Sequence, residues 1–112
     1  MQALQTALSM LLAASLMAPS FRAGAADGAL TIAPHQLPQP LLEQYAKNKP
    51  DLGRYGHCAA GFDSRTDGLK MAFSCAIYVR LSAQGERLAV SLCNERAKLL
   101  KIKAPCALIV ED

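Results

Sequence analysis

The chain has four cysteines, Cys58, Cys75, Cys93 and Cys106, and their placement constrains the fold more than any other feature. Residues 55–63 and 69–79 read as two strands. Between them lies Ser64-Arg65-Thr66-Asp67-Gly68, whose Asp-Gly is a strong turn signal. On the second strand Leu69, Met71, Phe73, Cys75, Ile77 and Val79 are all apolar. They alternate with Lys70, Ser74, Tyr78 and Arg80, as a half-buried strand requires. On the first strand Cys58, Ala60 and Phe62 share a side. A four-residue loop over 65–68 puts Phe62 opposite Met71, Ala60 opposite Phe73 and Cys58 opposite Cys75. Strand register follows the buried face, so this pairing predicts a Cys58–Cys75 bridge. A slip of two residues would keep the apolar face but separate the two sulfurs.

A helix is expected over about 83–100, with Ser82 as its cap. Leu88, Leu92 and Leu99 lie along one side, with Ala89, Cys93 and Leu100 beside them. Arg87, Ser91, Asn94, Lys98 and Lys101 fall opposite. That is the arrangement of a helix lying on a sheet. Arg96 falls inside the apolar stripe; its stem packs while its charge reaches water, or it meets a partner. Lys103-Ala104-Pro105 turns the chain, and the apolar run 106–110 reads as a buried strand. Four cysteines allow three connectivities. The pairs 58–75 and 93–106 are favoured; a bridge joining Cys75 to Cys93 is the chief competitor.

An even cysteine count reads as disulfides only in an exported chain. The N-terminus supplies the export signal. Residues 7–18 form an apolar run of about a dozen, too short to span a bilayer. Pro19 breaks it, and Ala23-Gly24-Ala25 is a small-x-small cleavage site. No Lys or Arg precedes the run, a departure from the usual pattern. Cleavage after Ala25 removes 25 of the 112 residues and leaves 87, with eleven basic against nine acidic side chains and a net charge of +2. A chain this short buries little core and gains from staples. Closing loops of 17 and 13 residues contributes about 3 kcal/mol each in the chain-entropy model.

The expected organisation is therefore a signal peptide over 1–25, an extended arm with a short helix over 26–54, and a stapled β-β-α-β core over 55–112. Three prolines within 31–40 keep the arm extended on the surface, and Pro40 opens a helix over 41–47 whose apolar side is Leu41, Leu42 and Tyr45. The fold class is α+β: a three-stranded antiparallel sheet with one face covered by the long helix.

Chemistry-bearing patterns are sparse. His35 and His57 are the two histidines. The cysteines are separated by sixteen, seventeen and twelve residues, with no C-x-x-C pair, which is not a zinc-finger spacing. No G-x-S-x-G or H-E-x-x-H is present, and a cysteine nucleophile needs a free thiolate. No cofactor is implied and no enzyme is expected. A net charge of +2 supplies little field for nucleic acid. The export signal argues for a periplasmic location without stable membrane insertion.

The runs Leu88-Ala89-Val90-Ser91-Leu92-Cys93 and Ala104-Pro105-Cys106-Ala107-Leu108 resemble small exported bacterial domains of unassigned function. Those have a helix with an A-x-x-x-C pattern followed by a strand opening P-C-x-L. The architecture is also similar to periplasmic immunity proteins and lysozyme inhibitors, which block cell-wall hydrolases. That resemblance implies a protein partner, a peptidoglycan hydrolase whose cleft takes a loop. The hairpin tip, Asp63, Ser64, Arg65, Thr66 and Asp67, is the first candidate contact surface. Arg54, Tyr55 and His57 are the second. A structural or accessory envelope protein is the rival reading, and a metal carrier using His35 and His57 is a third.

Overall fold

The computed structural model describes residues 30–111; the expected signal peptide and its cleavage site lie outside the described residues. In chain order the elements are β1 (Thr31–Ile32), α1 (Gln39–Asn48), β2 (His57–Phe62), β3 (Met71–Ala76), α2 (Ser82–Leu99) and β4 (Ala107–Ile109), with short 3-10 turns between them. The protein is a small α+β domain with both expected staples, Cys58–Cys75 and Cys93–Cys106. The hairpin register is the one expected from the buried face and the four-residue loop together: Phe62 faces Met71, Ala60 faces Phe73 and Cys58 faces Cys75. Both strands are shorter than expected. Past Ala76 no strand remains to pair with, because the chain before His57 is a turn in which the Gly56 N–H bonds the Leu52 carbonyl. Tyr78 then takes a positive φ of 59° and turns the chain toward α2.

The sheet has four strands in the order β1-β4-β2-β3 and is mixed, not a three-stranded antiparallel one. Thr31 and Ile32 of the arm pair parallel with Leu108 and Ile109. The three prolines do not prevent this, because all of them follow the paired residues, where no ladder N–H is lost. The arm is also more than a surface wrap, since Leu37 is 4% exposed and Pro38 is buried as well.

Both faces of the sheet are covered. Cys58, Ala60, Met71, Phe73 and Ile109 form the face with large side chains, and Leu37, Leu41 and Tyr45 of the arm and α1 pack on it. Full burial of one such leucine is worth about 1.5–3 kcal/mol, and Leu41 is 1% exposed. Ala59, Ala72, Ala76 and Leu108 form the other face, under α2. Its small side chains let the helix approach closely. An added Cβ at Gly61 would stand 3.0 Å from Cys106 Sγ, so that glycine makes room for the second staple.

The inward face of α2 differs from the expected one. Gly85, Ala89, Cys93 and Ala97 are its buried residues, recurring every fourth position. Leu88, Leu92 and Leu99 are 41%, 38% and 84% exposed, so the leucines expected inside stand at the side. A surface of alanines seats small residues better than leucines, and the Cys93–Cys106 bond sets the helix rotation. Ser82 does not cap the helix; Leu81 occupies that position without a side-chain bond, and the Ser82 hydroxyl bonds His57 instead. The far end closes with paired bonds, Ile102 N–H to Ala97 O and Lys101 N–H to Lys98 O, the Schellman arrangement with Lys101 at its left-handed position.

Candidate functional site

The hairpin tip is held from behind. The Asp63 carboxylate accepts the Lys103 N–H at 2.7 Å and the Ala104 N–H at 2.9 Å, tying the hairpin to the α2–β4 linker. Those two bonds hold its pKa below the usual carboxylate value. Ser64 Oγ accepts from the Thr66 and Asp67 amides. Asp67 Oδ1 accepts from Leu69 N–H and caps the turn that opens β3. Arg65 donates to the Gln36 carbonyl at 3.0 Å and lies 5.6 Å from the centre of the Phe62 ring. Asp63, Ser64, Arg65 and the capping Asp67 thus serve the loop's own shape. The other exposed groups are Thr66, Lys70 and Leu69, the last of them 74% exposed.

Arg54, Tyr55 and His57 lie at the opposite end of β2 from the tip. Only the rest of β2, residues 58–62, lies between His57 and Asp63, but the step from one to the other is roughly 20 Å at about 3.3 Å per residue, so the two candidate surfaces are not brought together. Arg54 rests over the Tyr55 ring at 5.9 Å. His57 Nε2 sits 2.8 Å from Ser82 Oγ, which makes His57 a link between β2 and the start of α2. The Tyr55 carbonyl and the His57 ring both crowd the space beside Gly85. Arg54 and Tyr55 are exposed, and His57 is half-buried.

Comparison of the chain with protein-family models, with curated proteins and with solved structures finds no match. Function therefore has to be argued from the surface itself.

A groove that sequence reasoning did not find runs along the outer edge of β3. One part, about 520 Å³, is lined by Asn48 of α1, by Phe73, Cys75 and Ile77, and by Leu92, Glu95, Arg96 and Leu99. A second part of about 290 Å³ continues it past Met71, Gln44 and Leu100. Phe73, Arg96 and Leu99 line both. Arg96, the charge inside the expected apolar stripe, is exposed here. The one sequence signal for the groove was the excess of leucine on α2 over what the small-residue sheet face can accept. A separate depression along Glu86, Val90, Asn94 and Lys98 has all its described lining on one helix face, and a single convex helix does not enclose a site.

A third cavity, about 310 Å³, lies between Tyr45, Lys49, His57 and Glu111. Its charges satisfy each other: Lys49 Nζ stands 2.7 Å from Glu111 Oε1. Burial first, and then the Glu111 carboxylate, raise the Tyr45 pKa. Among the described residues no three His, Cys, Asp or Glu side chains are grouped so as to hold a metal ion. No helix among them is long and apolar enough to cross a membrane. The two disulfides are compatible with an exported protein.

Proposed function

We propose that this chain is a non-enzymatic binding protein of the periplasm, and most concretely an inhibitor or immunity protein that blocks a cell-wall hydrolase by seating a loop in its active-site cleft. The observation that carries this reading is the anchoring of the hairpin tip. Asp63 fixes it to the α2–β4 linker, Arg65 fixes it to the arm, and the Cys58–Cys75 bond closes the same hairpin. A loop already held in one shape loses little conformational entropy on binding. Inside this reading the residues divide by role. Asp63, Ser64, Arg65 and Asp67 shape the loop, and Thr66, Leu69 and Lys70 present it.

The test is capture of partners from periplasmic extract with the wild type, Leu69→Asp and Arg65→Ala as baits, followed by a wall-hydrolysis assay on the captured protein. Leu69→Asp is expected to lose the partner with the fold unchanged. Arg65→Ala is expected to hold it more weakly, through a looser loop. A partner retained equally by all three baits removes the tip from the account. A captured protein whose wall-hydrolysing activity is untouched removes the inhibitor reading.

A further inference from the structure

The β3 groove belongs to a surface that the hairpin-tip reading leaves unused. β3 ends the sheet, and the phase of its ladder decides which of its backbone groups are free. The Asp63 N–H donates to the Lys70 carbonyl, so 63 and 70 form a hydrogen-bonded pair. Bonded and non-bonded pairs alternate in an antiparallel ladder, which makes Cys58–Cys75 and Ala60–Phe73 non-bonded pairs. The Cα separation of 4.0 Å between Cys58 and Cys75 fits that closer class. Met71, Phe73 and Cys75 therefore aim their N–H and C=O groups away from β2, at the open edge. Natural edge strands are blunted by charge, proline or a bulge. β3 reads Met-Ala-Phe-Ser-Cys-Ala and carries no charge and no proline, and its pairing with β2 is unbroken.

The flank of α2 beside this edge is apolar. Leu81, Leu88, Leu92 and Leu99 are 65%, 41%, 38% and 84% exposed. At 3.6 residues per turn Leu88, Leu92 and Leu99 fall within about 40° of one another around the helix, and Leu81 stands at its cap. Leu92 and Leu99 share a cavity with Phe73, Cys75 and Ile77, so this arc overhangs the edge.

We propose that this surface docks a second copy of the same chain, with β3 pairing antiparallel to its symmetry mate so that the two four-stranded sheets become one. Three observations select a second copy. The stripe Leu92, Glu95, Arg96, Leu99 is symmetric in chemistry about its midpoint. A two-fold axis there sets Leu92 against Leu99 of the other copy and Glu95 against Arg96 of the other copy, twice over. Neither Glu95 nor Arg96 has a charged partner among the described residues, though both line the groove. Arg96 and Leu99 line both parts of the groove with Phe73, so the C-terminal half of the stripe lies beside Phe73, and one axis near that residue can serve strand and helix together. Finally, α2 packs across both β2 and β3, which puts its axis about one strand spacing, ~4.8 Å, from the line midway between the two edges. The two helices then lie about 9.6 Å apart, inside the 8–10 Å range of packed helices.

Sedimentation equilibrium on the protein as recovered from cells, over a wide concentration range, tests this directly. A monomer–dimer equilibrium is expected. Glu95→Arg and Arg96→Glu should each raise the dimer dissociation constant about tenfold or more, about 1.4 kcal/mol, because each turns both attractive pairs into repulsive ones. The double swap, Glu95→Arg with Arg96→Glu, should restore the wild-type constant. Leu92→Lys should leave a monomer with an unchanged far-UV spectrum and a melting temperature that, unlike that of the wild type, does not rise with protein concentration. A wild type that is monomeric throughout the range overturns the proposal, even where it takes up a strand from some other protein. A dimer indifferent to both single charge reversals, or not rescued by the double swap, overturns it equally.

Discussion

Asp63 shows how much one exposed side chain can organise. It joins two segments forty residues apart in sequence by accepting two backbone N–H groups. Those bonds favour the carboxylate and lower its pKa. A group depressed in this way stabilises the fold above its unfolded pKa, and the contribution is lost as the pH falls through the folded value. Urea midpoints of the wild type and Asp63→Ala should therefore differ at neutral pH and converge as the pH drops below about 4. A gap independent of pH would mean that the carboxylate charge is not what ties the linker down. Lys101 is a second local device. It holds a positive φ of 58° at the position where helices most often place glycine. Lys101→Gly relieves about 1–2 kcal/mol of left-handed strain against about 0.5–1 kcal/mol of added unfolded-state entropy. A small rise in the urea midpoint is expected.

At the scale of elements, the decisive feature is the small-residue seam between α2 and the sheet. Gly85 marks its tightest point. A Cβ there would run into the Tyr55 carbonyl oxygen, a backbone atom that cannot swing aside, and would press on Val79 and His57. Gly85→Ala should cost about 1–3 kcal/mol or more, the range for overpacking a filled site. Gly68 has nothing within 4 Å of such a Cβ, so Gly68→Ala should stay within about 0.5 kcal/mol of the wild type. Equilibrium unfolding of the two variants checks the contrast. Equal losses would mean that α2 does not sit this close. The same seam explains the leucine flank, because a helix pressed onto alanines by its glycine–alanine stripe must carry its leucines at the side.

At the scale of the molecule, the two staples divide the work. Cys58–Cys75 closes the hairpin inside the layer packed by α1. Cys93–Cys106 fastens α2 to the strand that joins hairpin and arm. Their sequence separations are 17 and 13, worth about 3 kcal/mol each by loop closure. A small domain holds about 5–15 kcal/mol in all. Replacing Cys93 and Cys106 by serine should lower the unfolding free energy by about 3 kcal/mol, and losing both bonds should leave little of the total. Denaturant titration with and without reductant measures this. Full stability under reductant would remove the staples from the account.

The residues by themselves determined the hairpin register, the two helices and the α+β class, and they favoured the pairs Cys58–Cys75 and Cys93–Cys106 over the competing Cys75–Cys93 bridge, which the structure then decided. For the hairpin the physical reason is local: a period-two apolar pattern fixes which face is buried, and among the registers that keep that face the short Asp-Gly loop selects the one that brings Cys58 to Cys75. Tertiary structure decided the rest. Thr31 and Ile32 became a strand only because β4 offered an edge, seventy-seven residues on in the Thr31–Leu108 pair. The tip candidates Asp63 and Arg65, though exposed, are engaged by backbone groups of distant segments, the Lys103 and Ala104 N–H groups and the Gln36 carbonyl. The face of α2 could not be read from hydrophobicity alone. Leucine is the more apolar residue, but close approach to a sheet of alanines and glycine favours the residue with the smaller side chain.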